Sequence, residues 1–359
     1  MHIEQLAIQG LRNLHEVNIQ PGPRMNLLYG VNASGKTSLL EAIHLLSCGK
    51  SFRTHTLSQA VSHGEEGFVV SARLVPGEGV SIHLGVDFQK KRLKMRAGGA
   101  PLYRTSQLAA HLPVVVIHQE SYRLLREGPR LRRQYLDWGL FHVEHAFHPA
   151  WYRFMRALKQ RNRLLQKGAA RSQIEAWDGE LNDMAVTLHL QRRDFVRDLM
   201  SSLTEYASDL LPQLTELTCE YRPGWPAEEA LKTVLARELE RDLARGYTHS
   251  GPHRADLVLR SNGIPVRDCL SRGQQKLLVC ALYLAQAAIY RRRTGRSCVL
   301  LVDDVAAELD AQHRDLLLRR LSSLEGQVFL TATEPFSSKS ADLIDKRFHV
   351  EHGRVREVL

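Results

Sequence analysis

The stretch that decides the fold is Gly30-Val31-Asn32-Ala33-Ser34-Gly35-Lys36-Thr37, which lies between a short apolar run and an amphipathic segment. It matches the pattern G-x-x-x-x-G-K-[ST] at every fixed position. Such a loop binds phosphate because glycines allow close approach of the backbone, and because the next helix begins with free N–H donors. We therefore predict a phosphate-binding loop here.

The sequence on both sides of this loop supports a strand, a loop and a helix in that order. Residues 25–29 form a short apolar run that suits a buried strand, and residues 38–46 repeat apolar side chains at helical spacing. We expect Lys36 to contact the outer phosphates as a point charge, and the Thr37 hydroxyl to bind the bridging magnesium ion. For this window alone, the alternative is an ordinary glycine turn without a ligand.

A second polar site follows a buried strand near the end of the chain. The apolar residues 299–302 lead directly into Asp303 and Asp304, at the end of a strand where an open α/β sheet binds its ligand. One carboxylate beside a phosphate loop can hold magnesium, usually through water, and another can orient or deprotonate an attacking water. Adjacent strand residues face opposite ways, so we expect the two aspartates to have different roles.

The composition is that of a globular protein with an excess of positive charge. The 359 residues are enough for about two domains. The net charge of +10 makes a polyanion a natural partner, and a solvated basic face is the alternative. Five scattered cysteines predict neither a disulfide framework nor a zinc site. The chain lacks a signal-peptide pattern and a membrane-length apolar run, so we expect a cytosolic protein.

Alternating apolar residues predict antiparallel strands at both ends of the chain. Residues 3–20, 68–88 and 347–355 show this alternation. Leu93 and Met95 lie among five cations, Lys90, Lys91, Arg92, Lys94 and Arg96. That segment is expected to have one apolar and one basic face.

Helical periodicity dominates the middle of the chain. From about Pro149 to Leu243, apolar residues recur at spacings of three and four. We expect packed helices of at most about 30 residues, or about 45 Å, which excludes a long coiled coil. The arginine-rich stretch 123–133, which precedes them, fits a solvated helix surface and a phosphate-binding surface equally well.

A third element of interest is Leu270-Ser271-Arg272-Gly273-Gln274, which opens a strongly apolar helix. A serine at a helix start, followed by glycine and unpaired backbone donors, can form a second anion-binding site. The alternative is an ordinary N-cap, which this element alone would favour.

Taken in order, these motifs resemble the ABC-type ATPase head, and more closely the RecF recombination mediator family. The resemblance extends nearly from end to end and includes further matching residues, Arg132-Arg133, Leu136-Asp137-Trp138-Gly139, Gly251-Pro252-His253-Arg254 and Glu308-Leu309-Asp310. It implies an α/β fold, an ABC-type P-loop ATPase head whose mixed sheet has an antiparallel β subdomain. About 270 residues separate the phosphate loop from the aspartates, so an all-helical arm is inserted between them. The expected divisions are residues 1–125, 126–245 and 246–359.

The resemblance also implies roles for individual residues. Residues 30–37 and Ser38 would hold ATP with Mg²⁺, and Thr37 and Asp303 would be the metal ligands. Asp304 would be catalytic, where related heads usually carry glutamate. Gln119 would assist as the magnesium-contacting glutamine, although its neighbours His118 and Glu120 leave the register open.

The same resemblance implies contacts between two copies of the chain. Ser271, Arg272, Gly273 and Gln274 would cover the ATP held by the partner subunit, and Asp310 would lie at the dimer seam. Arg12 and Asn13 are candidates for approaching the nucleotide, and Arg53 for meeting DNA or phosphate. Surface or packing roles are equally open for these three.

The function implied is that of an ATP-dependent recombination mediator. Its ATP-induced homodimer would bind double-stranded DNA at single-strand gaps and work with RecR and RecO to load RecA. The setting would be gap repair, replication recovery and SOS induction, in the cytoplasm and without a membrane partner. A weak, DNA-dependent ATPase activity would reset the dimer. Hydrolysis would be slow, because Asp304 is one methylene shorter than the usual glutamate.

One departure and two alternatives accompany this interpretation. The strand after the aspartates ends in Thr331-Ala332-Thr333, without the γ-phosphate-sensing histidine of many ABC-type heads. An ATPase subunit of a membrane transporter fits the helical arm and the basic charge poorly. A nuclease-associated ATPase head finds no support in a further carboxylate cluster or metal-ligand spacing.

Overall fold

The computed structural model describes four stretches of the chain, residues 1–77, 79–304, 309–336 and 339–358. They form two compact units, residues 1–121 with 276–359, and residues 122–275. The range expected to form an inserted arm, residues 126–245, falls inside the second unit. The domain divisions given above remain a prediction.

Strands dominate the first 121 residues. In chain order the elements are β1 His2–Leu11, β2 Leu14–Ile19, β3 Met25–Tyr29, α1 Lys36–Cys48, β4 Gly67–Val75, β5 Ile82–Gln89, β6 Arg92–Ala97, β7 Ala100–Leu102, α2 Thr105–His111 and β8 Val114–Ile117.

Helices dominate the second unit. They and its three short strands are α3 Arg123–Arg126, α4 Pro129–Val143, α5 Phe147–Gln166, α6 Arg171–Glu175, α7 Asp178–Leu210, β9 Leu217–Arg222, α8 Leu231–Arg237, α9 Leu239–Arg245, β10 Asp256–Ser261, β11 Ile264–Pro265 and α10 Val266–Cys269.

The last part of the chain returns to alternating helices and strands. Its elements are α11 Arg272–Thr294, β12 Val299–Val302, α12 Ala311–Ser323, β13 Val328–Ala332, β14 Lys346–Glu351 and β15 Arg354–Val358.

The first unit contains an antiparallel sheet of six strands in the order β2-β1-β4-β5-β6-β7. One face is apolar and buried, as Leu84, Val86 and Phe88 on β5 show, and the residues between them face outward. This side-chain alternation is the pattern that predicted the strands, and the antiparallel strands expected in residues 3–20 and 68–88 are confirmed.

A second six-stranded sheet in this unit has the order β15-β14-β3-β13-β12-β8. Five of its strands run parallel, and only the edge strand β15 is antiparallel. Helix α1 contacts strands of both sheets and buries Leu39, Leu40, Ile43 and Leu46 completely. Each such leucine or isoleucine contributes about 1.5–3 kcal/mol by leaving water, so α1 and the loop before it are firmly anchored.

The second unit differs from the expectation in two respects. Helix α7 has 33 residues, which is about 50 Å and longer than expected. Strand β9 lies inside the range predicted as helical and pairs with β10 in the three-stranded sheet β11-β10-β9. Its pairing with β10 selects the extended form, and the period of two in its sequence agrees with that form.

None of the helices in the described part of the chain is both long enough and apolar enough to traverse a membrane.

Candidate nucleotide-binding site

Residues 30–35 connect β3 to α1, and both glycines of this loop face protein atoms at close range. Gly30 has φ +151°, and a Cβ there would lie 2.1 Å from the Val350 carbonyl oxygen. Gly35 has φ +123°, and its Cβ would lie 3.0 Å from Leu14 Cδ2. From the sequence, we attributed these glycines to the close approach of a phosphate. In the structure, the positive φ of both residues and the close contact of Gly30 with β14 already favour glycine.

The start of α1 presents unpaired backbone donors. The first backbone bond of the helix runs from the Leu39 N–H to the Gly35 oxygen at 3.0 Å, and no side chain caps the helix. The three N–H groups before Leu39 therefore have no partner within the helix. Ser34 Oγ is buried and has no hydrogen-bond partner among the described residues. Free donors and a helix N-terminus together favour an anion at this point.

Lys36 and the tip of the loop frame that position. Lys36 is only 4% exposed, and its Nζ donates to the carbonyl oxygens of Gly30 at 2.7 Å and Val31 at 3.0 Å. Val31, Asn32 and Ala33 are exposed. The ammonium group thus lies over the loop, where a bound phosphate would compete with the two carbonyl oxygens.

Asn13 supports the loop from the β1–β2 hairpin. Its Nδ2 donates to the Ala33 oxygen at 3.2 Å, and its Oδ1 accepts from Ser38 Oγ at 3.0 Å. In the described structure Asn13 therefore positions the phosphate loop. A contact with the nucleotide itself stays a prediction.

Arg12 and Arg53 share one buried carboxylate on α1. Arg12 Nη2 lies 2.8 Å from Glu41 Oε1, and Arg53 Nη1 lies 3.3 Å from Glu41 Oε2. The Glu41 side chain is fully buried. Both arginines therefore have a packing role, because each forms an ion pair with this carboxylate. Two cations beside one carboxylate also leave a local excess of positive charge, which favours an anion nearby.

Strand topology brings the aspartates to the phosphate loop. Thr37 Oγ1 lies 2.9 Å from Asp303 Oδ1 and 3.0 Å from Asp303 Oδ2. Strand β13 separates β3 from β12 in the sheet and supplies Thr331, which is fully buried. The Thr331 hydroxyl lies 2.9 Å from Asp303 Oδ1.

The same hydroxyl also binds the second aspartate. The Asp304 backbone N–H donates to Thr331 Oγ1 at 2.7 Å, and Asp304 Oδ1 lies 3.2 Å from it. Asp304 has φ +53°, so the chain has left the extended form at this residue. Both carboxylates therefore contact Thr331, and the expectation of opposite directions does not apply beyond the end of β12.

The protein atoms at this point are suited to part of a magnesium shell. Burial raises the pKa of the Asp303 carboxyl above its ordinary value, while hydrogen bonds from Thr331 and Thr37 act in the opposite direction. Within the described residues, no group of three or more His, Cys, Asp and Glu side chains could hold a metal ion. A hydroxyl and one carboxylate fit Mg²⁺ that takes its remaining ligands from phosphate and water.

Gln119 begins a short turn after β8, next to the strand that carries the aspartates. The Asp303 N–H donates to the Ile117 oxygen at 2.8 Å, so the ends of β8 and β12 are adjacent. The Gln119 side chain is exposed and, among the described residues, forms no hydrogen bond to Thr37 or Asp303. The structure brings this residue to the correct edge of the sheet, and its catalytic role stays a prediction.

Ser271 and Gln274 form a reciprocal cap at the start of α11. The Ser271 N–H donates to Gln274 Oε1 at 2.9 Å, and the Gln274 N–H donates to Ser271 Oγ at 3.3 Å. Arg272 and Gly273 are exposed, and a Cβ on Gly273 would meet no atom within 4 Å. The serine is thus an N-cap, and the space above the glycine is open to a partner.

Asp310 is likewise a helix cap in the described structure. Its carboxylate accepts from the His313 N–H at 3.0 Å, and its other oxygen lies 2.6 Å from His313 Nδ1. These hydrogen bonds lower the pKa of Asp310. Glu308, which belongs to the same motif, lies outside the described residues, and the place of Asp310 at a dimer seam stays a prediction.

Several arginines of the stretch 123–133 hold the second unit together. Arg132 binds Asp256 through two bonds of 2.7 and 3.0 Å. Arg133 donates to the Ala255 oxygen at 2.8 Å, and Arg126 donates to Gln275 Oε1 at 2.9 Å. For these three residues, the structure shows intramolecular partners where the sequence left a phosphate-binding surface open.

The roles of two residues of the site were not predicted from the sequence. Thr331 links both aspartates, and its only signal was one hydroxyl in the otherwise apolar strand 328–332. Glu41 anchors Arg12 and Arg53, and its signal was a carboxylate on the apolar face of α1.

The parallel sheet, the phosphate loop and the strand-borne aspartates define an ABC-type ATPase head. A model of the RecF/RecN/SMC N-terminal domain matches residues 2–356. The chain is 41% identical to the DNA replication and repair protein RecF of Shewanella denitrificans over 360 residues, with 99% of each chain covered. It is also 41% identical over 362 residues to the protein of that name from Pseudomonas aeruginosa, covering 99% of this chain and 98% of the relative. The chain therefore belongs to the RecF/RecN/SMC family, among its RecF members.

Solved structures agree with this assignment. A structure described as the recombination mediator protein RecF with ATP, in the RecFOR pathway, has a TM-score of 0.90 and 27% identity. The match covers 100% of this chain and 98% of that chain. An Smc head bound to part of ScpA has a TM-score of 0.60 at 13% identity, which shows a shared fold alone. The predicted ABC-type ATPase fold is confirmed.

Proposed function

We propose that this protein is an ATP-dependent, DNA-binding recombination mediator. The observation that carries the proposal is the contact of Thr37, on the phosphate loop, with Asp303, on the adjacent part of the sheet. A hydroxyl and a carboxylate beside the unpaired N–H groups at the start of α1 suit a nucleoside triphosphate with Mg²⁺. The full-length similarity to RecF proteins, one of them solved with ATP, supports ATP as that nucleotide.

Nucleotide binding would engage the loop residues in distinct ways. The N–H groups at the start of α1 and the Lys36 ammonium would neutralise the phosphates. Thr37 and Asp303 would hold Mg²⁺, which supplies charge neutralisation at the outer phosphates when bound. Asp304 would orient or deprotonate the attacking water, with Gln119 at the same edge of the sheet. The short carboxylate of Asp304 favours slow hydrolysis, below about 1 per second, the low end of typical enzymes.

The exposed cap at residues 271–274 supports a homodimer as part of this proposal. Ser271 and Gly273 are exposed, and a Cβ on Gly273 would meet no atom within 4 Å among the described residues. In the proposal these groups cover the ATP of a second copy, so that ATP joins two chains and hydrolysis separates them.

The proposal extends to a DNA substrate and to protein partners. The dimer would bind duplex DNA beside a single-strand gap and work with RecR, RecO and RecA in the cytoplasm, in gap repair, replication recovery and SOS induction. The net charge of +10 supports a polyanionic partner. The RecFOR pathway of the solved relative supports the choice of proteins.

Binding of fluorescent duplex and gapped DNA by the purified chain tests this function. We expect tight binding with ATP and Mg²⁺, and weak binding with ADP or without nucleotide. Lys36→Arg should abolish the ATP effect, because the larger guanidinium does not fit the buried site of Lys36. DNA binding that is equal in all nucleotide states would contradict the proposal.

A further inference from the structure

A cationic hairpin forms part of the antiparallel sheet and lies outside the nucleotide-binding residues. It consists of β5, β6 and their turn, and its cations are Lys90, Lys91, Arg92, Lys94 and Arg96. All five are exposed, and within the described stretches none of them forms an ion pair. Asp87 lies opposite Lys94 in the strand register, but no ion pair joins them. The hairpin therefore carries uncompensated charge.

The backbone of the turn is unusual for the residues it contains. Gln89 pairs with Arg92, so Lys90 and Lys91 form a two-residue loop with φ of +49° and +60°. Such a loop normally contains Asn-Gly, because both positions need positive φ. For other residues this conformation costs about 1–2 kcal/mol each. Two lysines at this tip thus reduce stability and have no compensating contact among the described residues, which points to a role outside the fold.

The cations of β6 form a straight row. Arg92, Lys94 and Arg96 alternate with buried or half-buried Leu93 and Met95, so all three point outward. At about 3.4 Å per residue they repeat every 7 Å or so over about 14 Å. A row of this length suits a linear polyanion with charges along its backbone better than a compact anion.

Beside Arg96, the outer face of the sheet carries small side chains. Arg96 lies opposite Gly85, which lies opposite Ser71, which in turn lies opposite Ala7 on the same face. A Cβ at Gly85 would meet its nearest atoms at 3.8 and 3.9 Å, so packing does not require glycine there. Small side chains next to a cationic row allow a broad, stiff ligand to approach closely.

We infer that this cationic hairpin binds the phosphate backbone of duplex DNA, without reading its sequence. The inference rests on the proposed function and names the surface that DNA would occupy. Each lysine or arginine that contacts a phosphate releases counterions and contributes about 0.9 to the slope of log K against log salt.

Lys90→Asn combined with Lys91→Gly separates charge from fold. The pair installs the preferred residues of this turn, so the chain should unfold at the same or higher urea concentration. DNA affinity measured by fluorescence anisotropy with ATP, at about 0.1 M salt, should fall at least about tenfold, and the salt slope should become shallower by about 2.

Arg156→Gln with Lys159→Gln is the matched control, because it removes the same charge from exposed positions of α5. It should keep the wild-type affinity within about twofold, as expected when these residues contact no phosphate. An unchanged affinity and slope in the hairpin variant would overturn the inference and leave the proposed function intact. An equal loss in the control would also overturn it, since net charge alone would then explain binding. Absence of DNA binding by the unmodified chain would refute both.

Discussion

The Thr331 hydroxyl accepts the Asp304 N–H and contacts both aspartate side chains, so one atom positions the acidic edge of the site. We expect Thr331→Val, which keeps the shape, to leave the half-buried Asp304 N–H without an acceptor. Because this group is only partly buried, we expect a loss of stability near the lower end of the range of about 1–3 kcal/mol for an unsatisfied donor. The ATP-induced rise in melting temperature should also disappear, because Asp303 loses a bond that orients it toward Thr37.

Thr331→Ser is the control for that experiment, because it restores the hydroxyl and removes only a methyl group. Thermal melts of both variants, with and without ATP and Mg²⁺, provide the measurement. If the valine variant keeps the full ATP-induced shift, Thr331 has no positioning role.

Gly30 gives a second prediction at the scale of one residue. A Cβ there would lie 2.1 Å from the Val350 oxygen, and φ is +151°. We expect Gly30→Ala to lower the free energy of unfolding by at least about 2 kcal/mol, since strain and displacement of β14 both oppose folding. Urea denaturation measures this. Gly179→Ala on α7, where a Cβ meets nothing within 4 Å, should stabilise the protein slightly. Equal stability of the two variants would contradict the explanation.

The turn at residues 252–254 and helix α4 give a prediction for pH. Burial lowers the pKa of His253 to about 4 and that of His142 to about 4. His253 Nε2 lies 3.0 Å from the Thr248 oxygen, and its Nδ1 is buried without a hydrogen-bond partner in the described structure. An imidazole in the unfolded chain titrates near 6.5. Below that pH the unfolded chain binds protons that the folded unit does not, so stability present above about pH 6.5 is lost as pH falls toward about 4.

His253→Gln tests the titration directly. Urea midpoints measured at several values between pH 7.5 and 5 should fall less steeply with acidification than in the unmodified protein, because one imidazole whose pKa is lowered by burial is gone. The same pH dependence in both proteins would show that His253 does not contribute.

At the scale of elements, the sequence predicted what local pattern determines. A window of about ten residues is enough to recognise the phosphate loop, the strand before Asp303 and the alternating antiparallel strands. Strand β9 also carries a period of two, but its helical surroundings obscured it. Partners distant in sequence were not predictable: Arg132 binds Asp256 across 124 positions, and Thr331 binds Asp303 across 28. Such pairs depend on topology, which a single sequence does not display.

At the scale of the whole molecule, ATP would join two copies of the chain. Each phosphate loop would be covered by the capped start of α11 from the other copy. Ser271→Asp is a suitable probe, because aspartate is as good an N-cap as serine and so keeps the helix intact. Its negative charge would repel the phosphates of the partner's ATP.

The deciding measurement is sedimentation velocity of the unmodified protein and the Ser271→Asp variant, with ATP or ADP and Mg²⁺, alongside ATP binding by each. We expect the unmodified protein to dimerise with ATP and to be monomeric with ADP. We expect the variant to bind ATP normally and to remain monomeric. Dimerisation of the variant with ATP, to the same extent as the unmodified protein, would contradict the ATP-joined dimer.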